Sequence, residues 1–172
     1  MVNYRECAGI ILFNDEGRVL MGARADQKGM QWQFPQGGIE NGESPADAAL
    51  RELKEETSVT SAEIIMSLAE PLTYTFPKQI REHLMSTKRS VYSGQRMHWF
   101  LMHFKGTEDE INLQTQTPEF KAYEWANIKK AHKRIVYFKR DVYKKACRVF
   151  APFIEAYIHR AECLVDNEDT ED

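Results

Sequence analysis

The stretch WQFPQGGIENGESPADAALRELKEETSV, Trp32–Val59, decides the fold. It opens as an aromatic, strand-like segment, turns at Gly37-Gly38, crosses a polar loop and becomes helical from Pro45. Ser44 is a strong N-cap, Pro45 suits the first helical position, and Asp47 completes a box-like cap. Ala46, Ala49, Leu50, Leu53 and Thr57 recur at helical spacing and predict one buried stripe. Glu52, Glu55 and Glu56 stand at i, i+3 and i+4, so their carboxylates share another face. Like charges so placed repel by a few tenths of a kcal/mol per pair. Such a face is either solvated or an oxygen platform for hard divalent cations.

Working outward, Cys7–Phe13 reads as a buried strand, 14–17 (NDEG) as a turn and 18–23 as a second strand, together a hairpin. Strands are also expected over 62–69, 72–76, 95–104 and 120–126. The segment 78–94 is polar without a clear period and is expected to be mobile. Residues 106–116 form an acidic excursion. An amphipathic helix is expected over 140–157, with Val142, Tyr143, Ala146, Val149, Phe150, Phe153 and Tyr157 inward and Pro152 kinking or dividing it. The expected division is one domain, 1–160, and an acidic tail without fixed structure, 161–172. The pattern is α/β with a mixed sheet.

The chain has 172 residues and a net charge of −3, which excludes a generally basic nucleic-acid coat. Its 3 cysteines match no zinc spacing and favour a reduced, cytoplasmic setting. No secretory signal is expected ahead of Tyr4, and no apolar run approaches membrane-spanning length.

Gly37, five residues, Glu43, seven residues, then Arg51-Glu52-Leu53-Lys54-Glu55-Glu56 closely resembles the signature of the Nudix hydrolases. Ser58 departs from it, standing where that family usually has glycine at the helix exit. The resemblance implies the Nudix fold, a mixed sheet sandwiched between helices, and hydrolysis of a phosphoanhydride with Mg²⁺, for which Mn²⁺ can substitute. It implies Glu52, Glu55, Glu56, the Gly37 carbonyl and, through the fragment Thr117-Pro118-Glu119-Phe120, Glu119 as metal ligands. It further implies Glu52 or Glu56 as base and a tether from Glu43 to Arg51.

Tyr4-Arg5 with Gly9, the run 32–39, Gly94-Gln95 before Trp99-Phe100, and Phe138-Lys139-Arg140 before Val142-Tyr143 resemble one branch of the family. That branch comprises RNA pyrophosphohydrolases and asymmetric diadenosine-tetraphosphate hydrolases. By position, Arg5, Gln95 and Lys139 become candidates for phosphate and base contacts, Phe138 for stacking and Tyr74 for approach to the polyphosphate. Ala25 stands where some RNA-acting members have a second arginine after the one matching Arg24.

The substrate expected is therefore a 5′-triphosphorylated or diphosphorylated RNA, converted to a 5′-monophosphate that promotes decay. The alternative is diadenosine tetraphosphate, split into ATP and AMP. Lys78, Arg81, Lys88, Arg89 and Arg96, a basic stretch in an acidic chain, favour RNA. Rivals of other kinds are a hydrolase of damaged nucleotides and a nucleotide- or RNA-binding module without catalysis. The sequence names no protein activator.

Overall fold

A computed structural model describes residues 2–168. Its centre is a parallel pair: β1 (Tyr4–Phe13) runs beside β7 (Gly94–Phe104) from Tyr4↔Gly94 to Phe13↔His103. Around it lie β2 (Val19–Arg24), β3 (Trp32–Gln33), β4 (Gln36–Gly38), β5 (Ala62–Ser67), β6 (Leu72–Thr75) and β8 (Phe120–Ala126), giving a mixed 8-stranded sheet. The helices are α1 (Pro45–Thr57), α2 (Lys78–Ser86), the short α3 (Ile128–Ala131) and α4 (Arg140–Glu168).

Strand alternation assigns the two faces. Cys7, Ile11 and Phe13 of β1 and Met97, Trp99 and Leu101 of β7 pack toward Tyr143, Ala146 and Phe150 of α4. Ala8, Ile10 and Leu12, with Phe100, Met102 and Phe104, pack toward Ala48, Ala49 and Leu53 of α1. The helix-sheet-helix sandwich follows, because β1 and β7 are apolar at both odd and even positions.

Local chemistry holds α1 as expected at its start. Ser44 Oγ accepts from the Asp47 amide at 3.1 Å and donates to the Asp47 carboxylate at 2.8 Å. The buried stripe is rotated from the expected one: Ala48, Ala49, Leu53, Glu56 and Thr57 are buried, whereas Leu50 is 39% exposed. A glutamate takes an inward position that apolar counting assigns to leucine.

At the helix exit Ser58 adopts the left-handed conformation, φ 66° and ψ 2°, at a cost of about 1 kcal/mol for a residue with a Cβ. Its hydroxyl donates to the Asn112 carbonyl at 2.8 Å, and the Asn112 amide donates back to Thr57 O at 2.9 Å. This hydrogen bond, about 1 kcal/mol, offsets the strain. Ser58→Gly is therefore expected to leave stability within about 0.5 kcal/mol of wild type. Ser58→Ala keeps the strain, loses the bond and is expected to cost about 1 kcal/mol in urea denaturation.

Four expectations need correction. The 14–17 turn forms, with Asn14 Oδ1 accepting from the Glu16 and Arg18 amides, but the hairpin does not continue. β1 and β2 meet at Phe13↔Val19, after which β2 pairs with β8 and the Gly37-Gly38 segment joins β1 as β4. The segment 78–94 begins with the helix α2, in which Ile80 and Leu84 stand one turn apart and half-buried, a short amphipathic pattern masked by polar neighbours. Pro152 does not divide the helix, since α4 continues through it, and Val149 and Phe153 are exposed while Cys147, Ala151 and Ile154 are buried instead. Lastly, α4 runs to Glu168, so the first part of the expected tail is helical; residues 169–172 lie outside the described ones.

Candidate active site

Because α1 lies across the β4 end of the sheet, its carboxylates meet the backbone of Gln36–Gly38. Glu56, 3% exposed, accepts a hydrogen bond from the Gln36 amide at 3.1 Å. Burial, and then the neighbouring Glu52 charge, hold its carboxyl well above the usual carboxylate range. Burial also raises the Glu52 carboxyl, against the pull of Arg51. A Cβ at Gly37 would lie 1.9 Å from the Glu52 carboxyl carbon, so any larger residue there displaces that carboxylate. At Gly38 a Cβ would come within 2.2 Å of the Arg5 guanidinium.

Arg51 organises the other side. Its Nε and Nη2 donate to the Glu43 carboxylate at 2.8 and 3.0 Å, Nη2 also reaches Gly38 O at 2.8 Å, and Nη1 reaches Glu52 at 2.7 Å. The Arg51 guanidinium, and then the Glu40 amide, hold the Glu43 carboxyl down at about 2. The loop-to-helix tether expected of Glu43 and Arg51 is thus present as a bidentate pair. Glu55 is exposed and within 3.4 Å of Arg51.

Glu52, Glu55, Glu56 and Glu119 line a groove of about 880 Å³. They also border a cleft of about 640 Å³ reaching Ser58 and residues 115–117. Glu119 is placed here because the Ala25 amide donates to its carbonyl at 2.8 Å, joining β8 to the end of β2. The donors are all oxygens, two carboxyls are raised by burial and mutual repulsion, and Arg51 serves only part of that charge. Such a set suits a hard divalent cation. Among the described residues no three acidic, histidine or cysteine side chains form a ready-made cage, so a cation would have to draw these carboxylates inward.

Arg5, Gln95, Phe138 and Lys139, the expected substrate contacts, line the same groove. Gln95 Oε1 is occupied: it accepts from Tyr74 Oη and, at 3.1 Å, from Gln36 Nε2. Gln36 in turn accepts from Tyr143 Oη. This network, invisible to sequence spacing, leaves the Gln95 amide nitrogen as its available donor. Tyr74 is the exception among the expected contacts. It is 6% exposed, does not line the groove, and stands behind Gln95 as its support.

Lys139 is 5% exposed, and burial, followed by the Arg24 cation, pushes its ammonium down to about 8. Arg24 itself is held by Asp26 at 2.9 and 2.6 Å, which takes up much of its charge. Within the basic stretch, Arg89 reaches the groove; Lys78 pairs with Glu82 at 3.7 Å and Arg96 with Glu6 at 3.6 Å. Sequence reading missed Gln36 and the α2 residues His83 and Leu84 as groove walls, the latter because α2 itself was missed.

Lys139 gives a pH prediction. Protonated below about 8 and neutral above, it loses the positive charge it presents to the groove as pH rises. The ratio kcat/KM, which reports the free protein, is expected to fall by up to ~10-fold per unit above that pH. A bound polyphosphate restores the charge, so kcat falls later. Lys139→Met should remove this alkaline limb, and a pH series of initial rates checks it.

A model of the NUDIX domain matches residues 3–146. An RNA pyrophosphohydrolase from Sphingopyxis alaskensis is 40% identical over 153 residues, covering 88% of this chain and 95% of that protein. One from Roseobacter denitrificans is 43% identical over 142 residues, covering 81% and 87%. Among solved structures, the E. coli dihydroneopterin triphosphate pyrophosphohydrolase superposes with a TM-score of 0.64 at 21% identity, over 88% of this chain and 98% of that one, a likeness of fold. With its signature helix, its sandwich and these matches over most of its length, the chain is a member of the Nudix hydrolase family.

Proposed function

We infer that the protein is a Mg²⁺-dependent RNA pyrophosphohydrolase, removing pyrophosphate or phosphate from a 5′-triphosphorylated or diphosphorylated end. One observation carries the reading. A single groove of about 880 Å³ is lined both by the α1 carboxylates and by Arg5, Gln95, Phe138 and Lys139, so groups suited to cations, to phosphates and to a base open onto one space. The similarity to proteins named RNA pyrophosphohydrolase supports it.

Glu52, Glu55, Glu56, Glu119 and the Gly37 carbonyl would hold the cations. When bound, Mg²⁺ offsets phosphate charge and makes a water more acidic. The chain's own residues do the rest. Arg51 fixes the Glu43 loop and the Gly38 carbonyl, and the Gln36 amide fixes Glu56. Glu52 or Glu56 takes the proton of the attacking water. Lys139 and Arg5 attract the phosphates, Gln95 donates to the substrate, and Phe138 offers an apolar ring to the base. No described helix is long and apolar enough to cross a membrane, and we place the reaction in the cytoplasm.

The test is incubation with a triphosphorylated oligoribonucleotide and Mg²⁺, with product analysis. Pyrophosphate and a 5′-monophosphorylated RNA are expected, and chelation should abolish both. An unchanged 5′ end would refute the reading.

A further inference from the structure

The run KKAHKRIVYFKRDVYKKACR, 129–148, holds nine lysines and arginines against one acid, in a chain of net charge −3. The fold gathers them. α3, the 3₁₀ turn His132–Arg134 and the start of α4 enclose a depression of about 440 Å³. Arg140, Lys144 and Arg148 are exposed at i, i+4 and i+8, a stripe of about 12 Å along α4. Burial, and then Lys144, Lys133, Arg140 and Arg148, push the His132 imidazole down, as a concentrated positive field would. Lys129 is taken by Glu155 at 2.7 Å, and Arg134 by Glu124. Among the described residues, Lys130, Lys133, Lys144, Lys145 and Arg148 stand in no ion pair.

This surface continues into the groove. Arg134 lies 4.4 Å over the Trp32 ring, which lines it. Tyr137, 67% exposed, meets the edge of Phe138, another groove residue, at 5.4 Å between ring centres. An exposed aromatic at the margin of unpaired cations is the combination that binds single-stranded nucleic acid: rings take bases and cations take phosphates.

We propose that this surface holds the body of the RNA 3′ of the processed end. The strand leaves the groove past Phe138, stacks a base on Tyr137, and runs its phosphates along Lys133, Lys144 and Arg148. The proposal rests on the RNA reading above.

The experiment combines Lys133→Gln, Lys144→Gln and Arg148→Gln, all exposed, and separately makes Tyr137→Ala. KM and kcat are measured for a triphosphorylated dinucleotide and for a triphosphorylated single strand of about 20 nucleotides, longer than the ~4–16 that one small domain covers. For the triple variant at low salt, KM for the long strand is expected to rise ~10-fold at unchanged kcat, with the dinucleotide unaffected. The slope of log KM against log salt should flatten by ~0.7 for each phosphate that the variant no longer neutralises. Tyr137→Ala should raise KM for the long strand and leave the salt slope unchanged. Equal long-strand KM values in wild type and both variants would overturn the proposal and give the surface to an acidic protein or an anionic membrane. Failure of the RNA reading itself would show differently, as a wild-type protein inert toward both triphosphorylated substrates.

Discussion

Glu56→Gln is expected to lower kcat at least ~100-fold while leaving the protein as stable as wild type or more so. The two effects have one cause. Glu56 is 3% exposed and its carboxyl is pushed far up by burial and by Glu52, so ionising it without a cation opposes folding. A glutamine has the same shape, can still accept from the Gln36 amide, and removes that penalty. A gain of about 1 kcal/mol would appear as ~2–4 °C in Tm. Activity should fall because a neutral amide is a poor ligand for a hard cation and no base. Near-normal turnover would sink the assignment of α1 as the metal platform; lost turnover with a collapsed melting transition would show Glu56 to be structural.

Gly37→Ala is expected to cost ~100-fold in kcat with a melting temperature near that of wild type. The clash predicted for its Cβ, 1.9 Å, is with the end of the Glu52 side chain. That carboxylate can swing away at little cost to the fold, but it then leaves the platform. Crowding that struck backbone would instead destabilise the protein. Retained activity in Gly37→Ala would mean that Glu52 works from elsewhere, and Glu52→Gln in the same background would reveal it.

These substitutions also show what could be read from sequence. The α1 cap, the gathering of Glu52, Glu55 and Glu56 at one cleft and the Glu43–Arg51 tether were legible because each is set by local spacing on one helix and its entry loop. The strands at 95–104 and 120–126 were legible from their apolar or alternating runs. Tyr74 was misread as a substrate contact because its neighbour Gln95, not the ligand, needs its hydroxyl. Leu50 and Glu56 exchanged their expected environments for a related reason: function puts a carboxylate where packing alone would put leucine. α2 escaped detection because its apolar stripe is only Ile80 and Leu84, both half-buried, on a short and otherwise mostly polar helix. The departure at Ser58 became intelligible once Asn112, distant in sequence, supplied the acceptor for its hydroxyl. Non-local partners of this kind have no sequence period.

The proposed activity is hydrolysis at the 5′ end of an RNA. Its most direct test is competition in one vessel between a triphosphorylated oligoribonucleotide and diadenosine tetraphosphate at equal concentration and fixed Mg²⁺. The ratio of product rates gives the ratio of kcat/KM values. Pyrophosphate and monophosphorylated RNA should form faster than ATP and AMP. Preferential appearance of ATP and AMP, with the RNA 5′ end intact, would contradict the account and make the protein a dinucleoside polyphosphate hydrolase.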